Sequence, residues 1–547
     1  MSLVATLFKY YFTLKPLKFE QIYFRLKYRF FPVRILSVSS SRALETNQWF
    51  IETPVFQPQS FIDRHKVKFL NQEAQISIPN DWNSSKQEKL WLYNLHYFDD
   101  LNGVGHEARF ELQKAFVHRW INENPPVMGN GWEPYPISLR LVNWIKWYQR
   151  HRLEDEVIVS SIYAQAVALK KQLEYHILGN HLFANAKALI FVGVFFKGAT
   201  GEDFLNLGLK ILKEQLKEQF LDDGGHFELS PMYHSILLWD LLDLINLAQR
   251  SKHEVLLEKV LDWKVLASKA LSYLVVMTHP DGEISFFNDA ATGIAPSPET
   301  LFRYAEYLDL DWTAGNKSKL ITLKSSSYTR AEVGAFVLFF DHAEIGPSYL
   351  PAHGHADALS IEMSLGESRI LVNSGTSVYG TGRERARQRS TNAHNTVEID
   401  GQDSSEVWGG FRVARSAKII SFEASEEDDS VCIASSHNGY ARLRRGLIHS
   451  RKCRLTATYL ECEDTIKGSF DEAKVLYHLH PETHIQTLAT NELLIEAKGG
   501  QQLIFKCSHP YKIEESTWHP EFGVTISNQR IVITTSDSII TSRFCLR

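Results

Sequence analysis

Between about Lys89 and Leu310, apolar residues recur at three- and four-residue intervals, as in RFELQKAFVHRWINENPP, ISLRLVNWIKWYQRHRLE, HLFANAKALIFVGVFF and ILLWDLLDLINLAQR. That spacing puts them on one face of an α-helix. Short polar joints separate the segments, so successive helices must pack antiparallel in a bundle, a solenoid or a toroid. Periodicity does not choose among these, and no named repeat stands out. After the polar stretch NKSKLITLKSSS the period drops to two. From Ser327 onward, GAFVLFFD, LSIEMSLGESRILVNSG, RLTATYLECED and QRIVITTSDSIITSRFCL alternate apolar and polar positions, with Gly, Asn and Asp at the joints. Such runs predict a large antiparallel β domain, sandwich-like in its many short strands. The boundary is expected near residue 325, giving a leading segment at 1–85 packed on the helical domain, helices over 86–325 and strands over 326–547.

The first residues, MSLVATLFKYYFTLKPLKFEQIYFRLKYRFFPVR, are aromatic and basic. Lys9, Lys15 and Lys18 interrupt any apolar core, so the stretch cannot span a membrane, and no small-residue cleavage site follows. It reads as a helix docked on its own domain, or as a basic amphipathic helix that touches a membrane or a partner. A chain of 547 residues exceeds one hydrophobic core, and 44% hydrophobic with 22% charged residues is ordinary for a folded protein. The net charge of -5 gives no general basic field, which argues against nucleic acid as a partner. An acidic partner must be met by a local cluster of Arg, Lys and His. The five Cys lie in the C-terminal third without a CxxC, so neither a disulfide framework nor a thiolate zinc site is expected. A reducing, cytoplasmic compartment fits best.

Three segments carry candidate chemistry. In GNHLFANAKALIF, Asn180 and His181 open a strongly apolar helix, and Asn180 alone reads as its cap. In FLDDGGHFELSPMYHSILLWDLL, a polar loop delivers Phe227, Glu228, Tyr233 and His234 onto a helix start that Ser230 and Pro231 would form. In YLPAHGHADALS, His353 and His355 stand at i and i+2 of an extended segment and can present two imidazoles on one side. A metal there would need further ligands, which Asn373 and His394 could supply. Tyr379, Arg383, Arg385, Arg387 and Arg389 lie between those two. The GTG at 380–382 is not a dinucleotide fingerprint, because β pattern follows the arginine run. In WEPYPISLRLVNWIKW, Arg140 and Trp144 could line a groove and bind a carboxylate or stack a sugar ring; a partly buried helix with a snorkelling arginine is the alternative.

In this order and spacing, GNHLFANAKAL, DGGHFELSPMYH, HGHADALS, LVNSGTSVY and RSTNAHNTVEIDG resemble the heparinase II/III family and the related alginate lyases, over roughly residues 90–480. The resemblance implies an α+β multidomain chain, an N-terminal incomplete (α/α) toroid joined to a C-terminal antiparallel β-sandwich. It also implies a polysaccharide lyase that cleaves an acidic, uronate-containing glycan by β-elimination. Asn180 matches the position that neutralises the uronate carboxylate, with His181 beside it, and Tyr233 and His353 match the catalytic tyrosine and histidine. Tyr379 resembles a further tyrosine at the subsite, and His234, Arg383 and Arg389 are candidate substrate contacts. His355 and His394 match metal ligands, which implies a structural divalent ion, zinc or calcium. Asn373 stands where the family usually has Asp; its carbonyl oxygen can still ligate, with one negative charge fewer. Whether Tyr233 or His353 removes the C5 proton stays open, as do the substrate's identity and the oligomeric state. Two rival readings remain. A glycoside hydrolase on the same toroid would draw a carboxylate pair from Asp222, Asp223, Glu228, Glu283 and Asp289. A non-catalytic glycan-binding protein of a surface-polysaccharide pathway would fit the missing signal peptide.

Overall fold

In the computed structural model, which describes residues 3–31, 44–313 and 318–547, the change of period is a change of domain. Helices Lys89–Tyr97, Pro134–Arg150, Gly179–Phe195 and Pro231–Ser251 pack each against the next as an inner layer. Helices Phe110–Glu123, Glu156–Lys171, Gly198–Gln219 and Val260–Val276 back them from outside, which is the incomplete toroid expected. Gly179–Phe195 is apolar almost all round because it is enclosed on every side. Aromatic residues, 12% of the chain, fill much of this core: Trp82, Trp91, Trp120, Trp144 and Trp147 are all fully buried.

Every pairing between the named strands is antiparallel. A five-stranded sheet runs in sequence order from Leu320–Leu323 to Ser368–Leu371; an eight-stranded sheet, from Ile419–Glu426 at one edge to His484–Ala489 at the other, and a four-stranded sheet, from Tyr511–Trp518 to Val397–Ile399, are crossed in order. Alternation along the strand Phe336–Asp341 explains how the domains join. Phe336, Leu338 and Phe340 enter the sandwich core with Val431, Leu455 and Val475. Val337 and Phe339, on the opposite face, join Tyr273, Val276, Met277 and Phe287 of the helical domain. A strand buried on both faces therefore welds the two units.

Two boundaries differ from expectation. The sandwich begins at Leu320, so the switch falls between Tyr307 and Leu320 and not near residue 325. The short strand LITL was masked by its polar flanks. In the leading segment, Ile51, Phe61, Val67 and Trp82 pack into the toroid core as expected. The two N-terminal helices instead bridge the domains. Leu3–Leu14 lies on the strand pair Val407–Trp408 and Arg412–Val413, with Tyr10 edge-on to Trp408 at 4.9 Å. Phe19–Phe30 lies on the toroid, where Phe24 stacks on Tyr175 at 4.8 Å and the Tyr28 hydroxyl donates to the Leu173 carbonyl at 2.8 Å. Among the described residues, no helix is long and apolar enough to cross a membrane.

Candidate active site

A cleft of about 1190 Å³ opens between toroid and sandwich, and all three chemistry-bearing segments reach it. On the toroid side, the helix Gly179–Phe195 is capped by Leu178, at φ +72°, followed by Gly179 at φ +57°. A Cβ on Gly179 would lie 2.6 Å from Leu350 Cδ2 and 3.0 Å from Glu228 Oε1, so the position requires glycine for conformation and for space. Asn180 is thus not the cap that its sequence context suggested. It sits in the first turn with its amide in the cleft, 3.4 Å from the Tyr135 hydroxyl. His181 also lines the cleft; its Nδ1 lies 2.8 Å from the buried Glu174, whose other oxygen accepts from Asn185.

On the far side of that turn, the Ser230 hydroxyl accepts the Tyr233 backbone N–H and donates to the Asp289 carbonyl, fixing the start of the helix Pro231–Ser251 against the crossing segment. The Tyr233 ring packs 4.0 Å from the His353 ring, and its hydroxyl is 3.0 Å from that of Tyr379. Burial first, then Tyr379 and Asp289, push the Tyr233 phenol well above the ordinary tyrosine value, so it is held protonated. His353 donates from Nδ1 to Asp289 at 2.8 Å. Burial keeps its imidazole below the ordinary histidine value despite that carboxylate, so it is neutral with Nε2 free toward the cleft.

Asp289 organises this wall. Against the burial that would raise it, the Arg385 guanidinium and the His353 and His355 imidazoles hold its carboxyl well below the usual range. Arg385 binds it through both terminal nitrogens and is itself fully buried. Glu228 is its opposite. The carboxyl faces the Asn180 backbone N–H without an aligned hydrogen bond, and neither oxygen has another partner among the described residues. It lies 3.9 Å from His353 Nε2, and burial, then Asp289, push it up to about 8. At neutral pH this buried carboxylic acid is protonated and aimed into the cleft. Leu178, Leu229 and Asn288, each just ahead of one of these segments, have positive φ, so the backbone strain of the region gathers around the site.

Behind His353, the ring of His355 donates from Nε2 to Asp289 at 2.9 Å, and His394 donates from Nδ1 to the Asn373 side-chain oxygen at 3.1 Å. Their remaining nitrogens, His355 Nδ1 and His394 Nε2, face each other at 3.2 Å. Burial pushes His355 down to about 4 and His394 well below the ordinary value, so both are neutral and two lone pairs converge. Asp357 completes a group whose ligand atoms lie within 4.8 Å of one another. The donor set fits a divalent cation. The Asn373 side-chain oxygen, which accepts from His394 Nδ1, stands directly behind this group.

Four other expected contacts do not reach the cleft. Arg140 is fully buried, donating to Gln165 and to the carbonyls of His96 and Gly131, and it stacks over Trp120 at 3.8 Å. Trp144 is enclosed by Phe98 and Trp120. His234 turns away from Tyr233 and donates to the Ala270 carbonyl. Arg389 donates to the Gly354 carbonyl, so it grips the residue between the two site histidines and touches no solvent-filled space. Tyr379 and Arg383 do line the cleft. Sequence reasoning missed the toroid floor, where Lys146 and Lys187 share Asp243, at 2.6 and 2.5 Å, and Lys187 also meets Asp240 at 2.6 Å. The signal was present: a charge inside LVNWIKWY, ANAKALIF or LWDLLDLI must find a partner.

Comparison with known proteins gives matches to the descriptions "Heparinase II/III N-terminus" over residues 39–309 and "Heparinase II/III-like, C-terminal" over residues 316–543. Two curated relatives, heparin-sulfate lyases of Bacteroides thetaiotaomicron and Bacteroides stercoris, are 26% identical over 206 residues and 23% identical over 305 residues. Those segments are 34% and 50% of this chain and span only 29% and 44% of the relatives. Among solved structures, a heparinase III matches with a TM-score of 0.70 at 16% identity, over 96% of this chain and 88% of that one. The heparan sulfate lyase of Pedobacter heparinus matches with a TM-score of 0.57 at 16% identity, over 96% and 87%. The shared property at such identities is the fold, a toroid followed by a sandwich.

Proposed function

The chain belongs to the heparinase II/III family, and from that membership we propose that it is a polysaccharide lyase opening a uronate-containing, acidic glycan by β-elimination. The observation that carries this reading is the meeting in one cleft of an amide, a protonated phenol and a neutral imidazole, at Asn180, Tyr233 and His353. The C5 proton of a uronate is weakly acidic, so the charge spreading into the carboxylate must be stabilised as it develops. Asn180 and the neutral acid of Glu228 supply donors there, with His181 alongside. His353 Nε2, its tautomer fixed by Asp289, takes the C5 proton. Tyr233, hydrogen-bonded to the Tyr379 hydroxyl, gives its proton to the departing C4 oxygen, and the proton gained by His353 restores the phenol when the products leave. Because the two rings lie 4.0 Å apart, both transfers act from one side of the sugar. Uronates with the C5 hydrogen and C4 oxygen on one face are the favoured class.

A hydrolase would need two free carboxylates across the bond. Of the carboxylates that such a pair would draw on, Asp289 is committed to Arg385, His353 and His355, Asp223 accepts from the Ser325 and Ser326 backbone, and neither Asp222 nor Glu283 lines the cleft, which leaves Glu228. We also propose a structural divalent cation between His355, His394 and Asp357. When bound it would neutralise charge and hold the turn that carries His353. Mass spectrometry of the products tests the reaction class. Elimination adds no water on cleavage, whereas products whose summed mass exceeds that of the substrate by one water per cut would reject it.

A further inference from the structure

The two N-terminal helices turn their apolar residues outward. Leu7, Phe8, Tyr11 and Leu14 are exposed along Leu3–Leu14, and Phe19, Ile22, Tyr23, Leu26 and Phe30 along Phe19–Phe30. Steps of three and four residues draw one stripe down each helix. The sides facing the protein are held by the Tyr10 and Phe24 rings and by polar contacts: Thr13 to the Val413 carbonyl, Gln21 to the Tyr349 carbonyl, Tyr28 to the Leu173 carbonyl, and Lys18 to Glu218. A surface helix ordinarily does the reverse. Of the thirty large apolar side chains exposed among the described residues, eleven fall between residues 7 and 31, so the exposure is concentrated in these two helices and not scattered over the surface. The same stretch holds six basic residues, Lys9, Lys15, Lys18, Arg25, Lys27 and Arg29, against Glu20 alone, in a chain of net charge -5.

We propose that this pair of helices docks the protein on a bilayer surface that carries anionic headgroups. The stripes enter the boundary between headgroups and acyl chains, the tyrosines sit at its polar edge, and the basic residues other than Lys18, which is paired with Glu218, meet the phosphates. Each helix of 12 residues is about 18 Å long, short of the roughly 30 Å of hydrocarbon, so the helices lie on the surface and do not span it. A second copy of the chain is the poorer occupant, because its patch would bring the same positive charge face to face. Tyr10, Thr13, Leu14 and Gln21 also line the cleft, so docking holds the cleft mouth near the lipid surface. A glycan displayed at that surface is what the cleft would reach. The docking itself is independent of the reaction proposed above.

Co-sedimentation of the full chain with vesicles tests it, using phosphatidylcholine alone and phosphatidylcholine with about one third phosphatidylglycerol. Binding to the anionic vesicles is expected to exceed binding to the neutral ones by about tenfold or more. Replacing Phe19, Tyr23 and Leu26 together by Ser, which touches only exposed side chains, should abolish it, and Lys15→Glu with Lys27→Glu and Arg29→Glu should weaken it. Amide hydrogen exchange on the unaltered protein needs no variant: residues 7–30 should be protected by anionic vesicles. Absence of binding, equal binding to both vesicle types, or protection confined to another region overturns the proposal. So does a concentration-dependent dimer that the triple Ser variant dissolves.

Discussion

Glu228 retains a proton on folding. Its folded value of about 8 lies above the ordinary 4.5, so between those two pH values the folded state binds more protons than the unfolded chain. Stability therefore falls as pH rises through that window and levels off above it. At about 1.4 kcal/mol per pH unit the full loss amounts to several kcal/mol. Glu228→Gln removes the effect: its melting temperature, compared with that of the native protein, should gain steadily from pH 4.5 to pH 8, and an offset independent of pH would contradict a protonated Glu228. Asp289→Ala should cost about 3–5 kcal/mol in denaturant unfolding, because it leaves the fully buried Arg385 without its counter-charge. At this scale the sequence was legible where unusual residues stand at a helix start or a turn, as at Asn180, Tyr233 and His353, which all line the cleft. It was not legible at Arg140, Trp144, His234 and Arg389, since an arginine or aromatic in an amphipathic segment looks alike whether it faces a groove or a core. The role of Asp289 depends on Arg385, 96 positions away, and no local pattern records that pairing.

The turn ahead of the helix Gly179–Phe195 decides where Asn180 points. Gly179→Ala forces a side chain into a left-handed backbone and against Leu350, a strain of about 1–2 kcal/mol before any clash. The helix start should shift, so kcat/KM falls far more than the melting temperature; unchanged kcat/KM would show that Asn180 does not need this turn. Element types were readable because each long helix and strand repeats its period many times. The exceptions are physical. LITL is four residues among lysines and serines, too short to display alternation, and Arg383–Gln388 forms one helical turn and a half inside an arginine run that the sequence joined to the following β pattern.

Across the whole molecule, the site exists only because two domains with different periodicities are held in register by the buried strand Phe336–Asp341 and the crossing segment around Asp289. Order of domains and a cleft between them followed from the motifs lying on both sides of the period change; the N-terminal bridge did not, since its apolar faces point away from the protein they rest on. If the proposed cation is bound, chelation should lower the melting temperature of the native protein and leave that of His394→Ala unmoved, and a shift common to both would place the metal elsewhere. The central claim is elimination by Tyr233 and His353. Its most direct test follows the near-ultraviolet absorbance of unsaturated uronate released from a panel of uronic polysaccharides. The native chain should generate it on at least one of them, and Tyr233→Phe and His353→Ala should each reduce the rate by about 10²–10⁴-fold while still binding the glycan. New reducing ends without that absorbance, or an undiminished rate in either variant, would contradict the account.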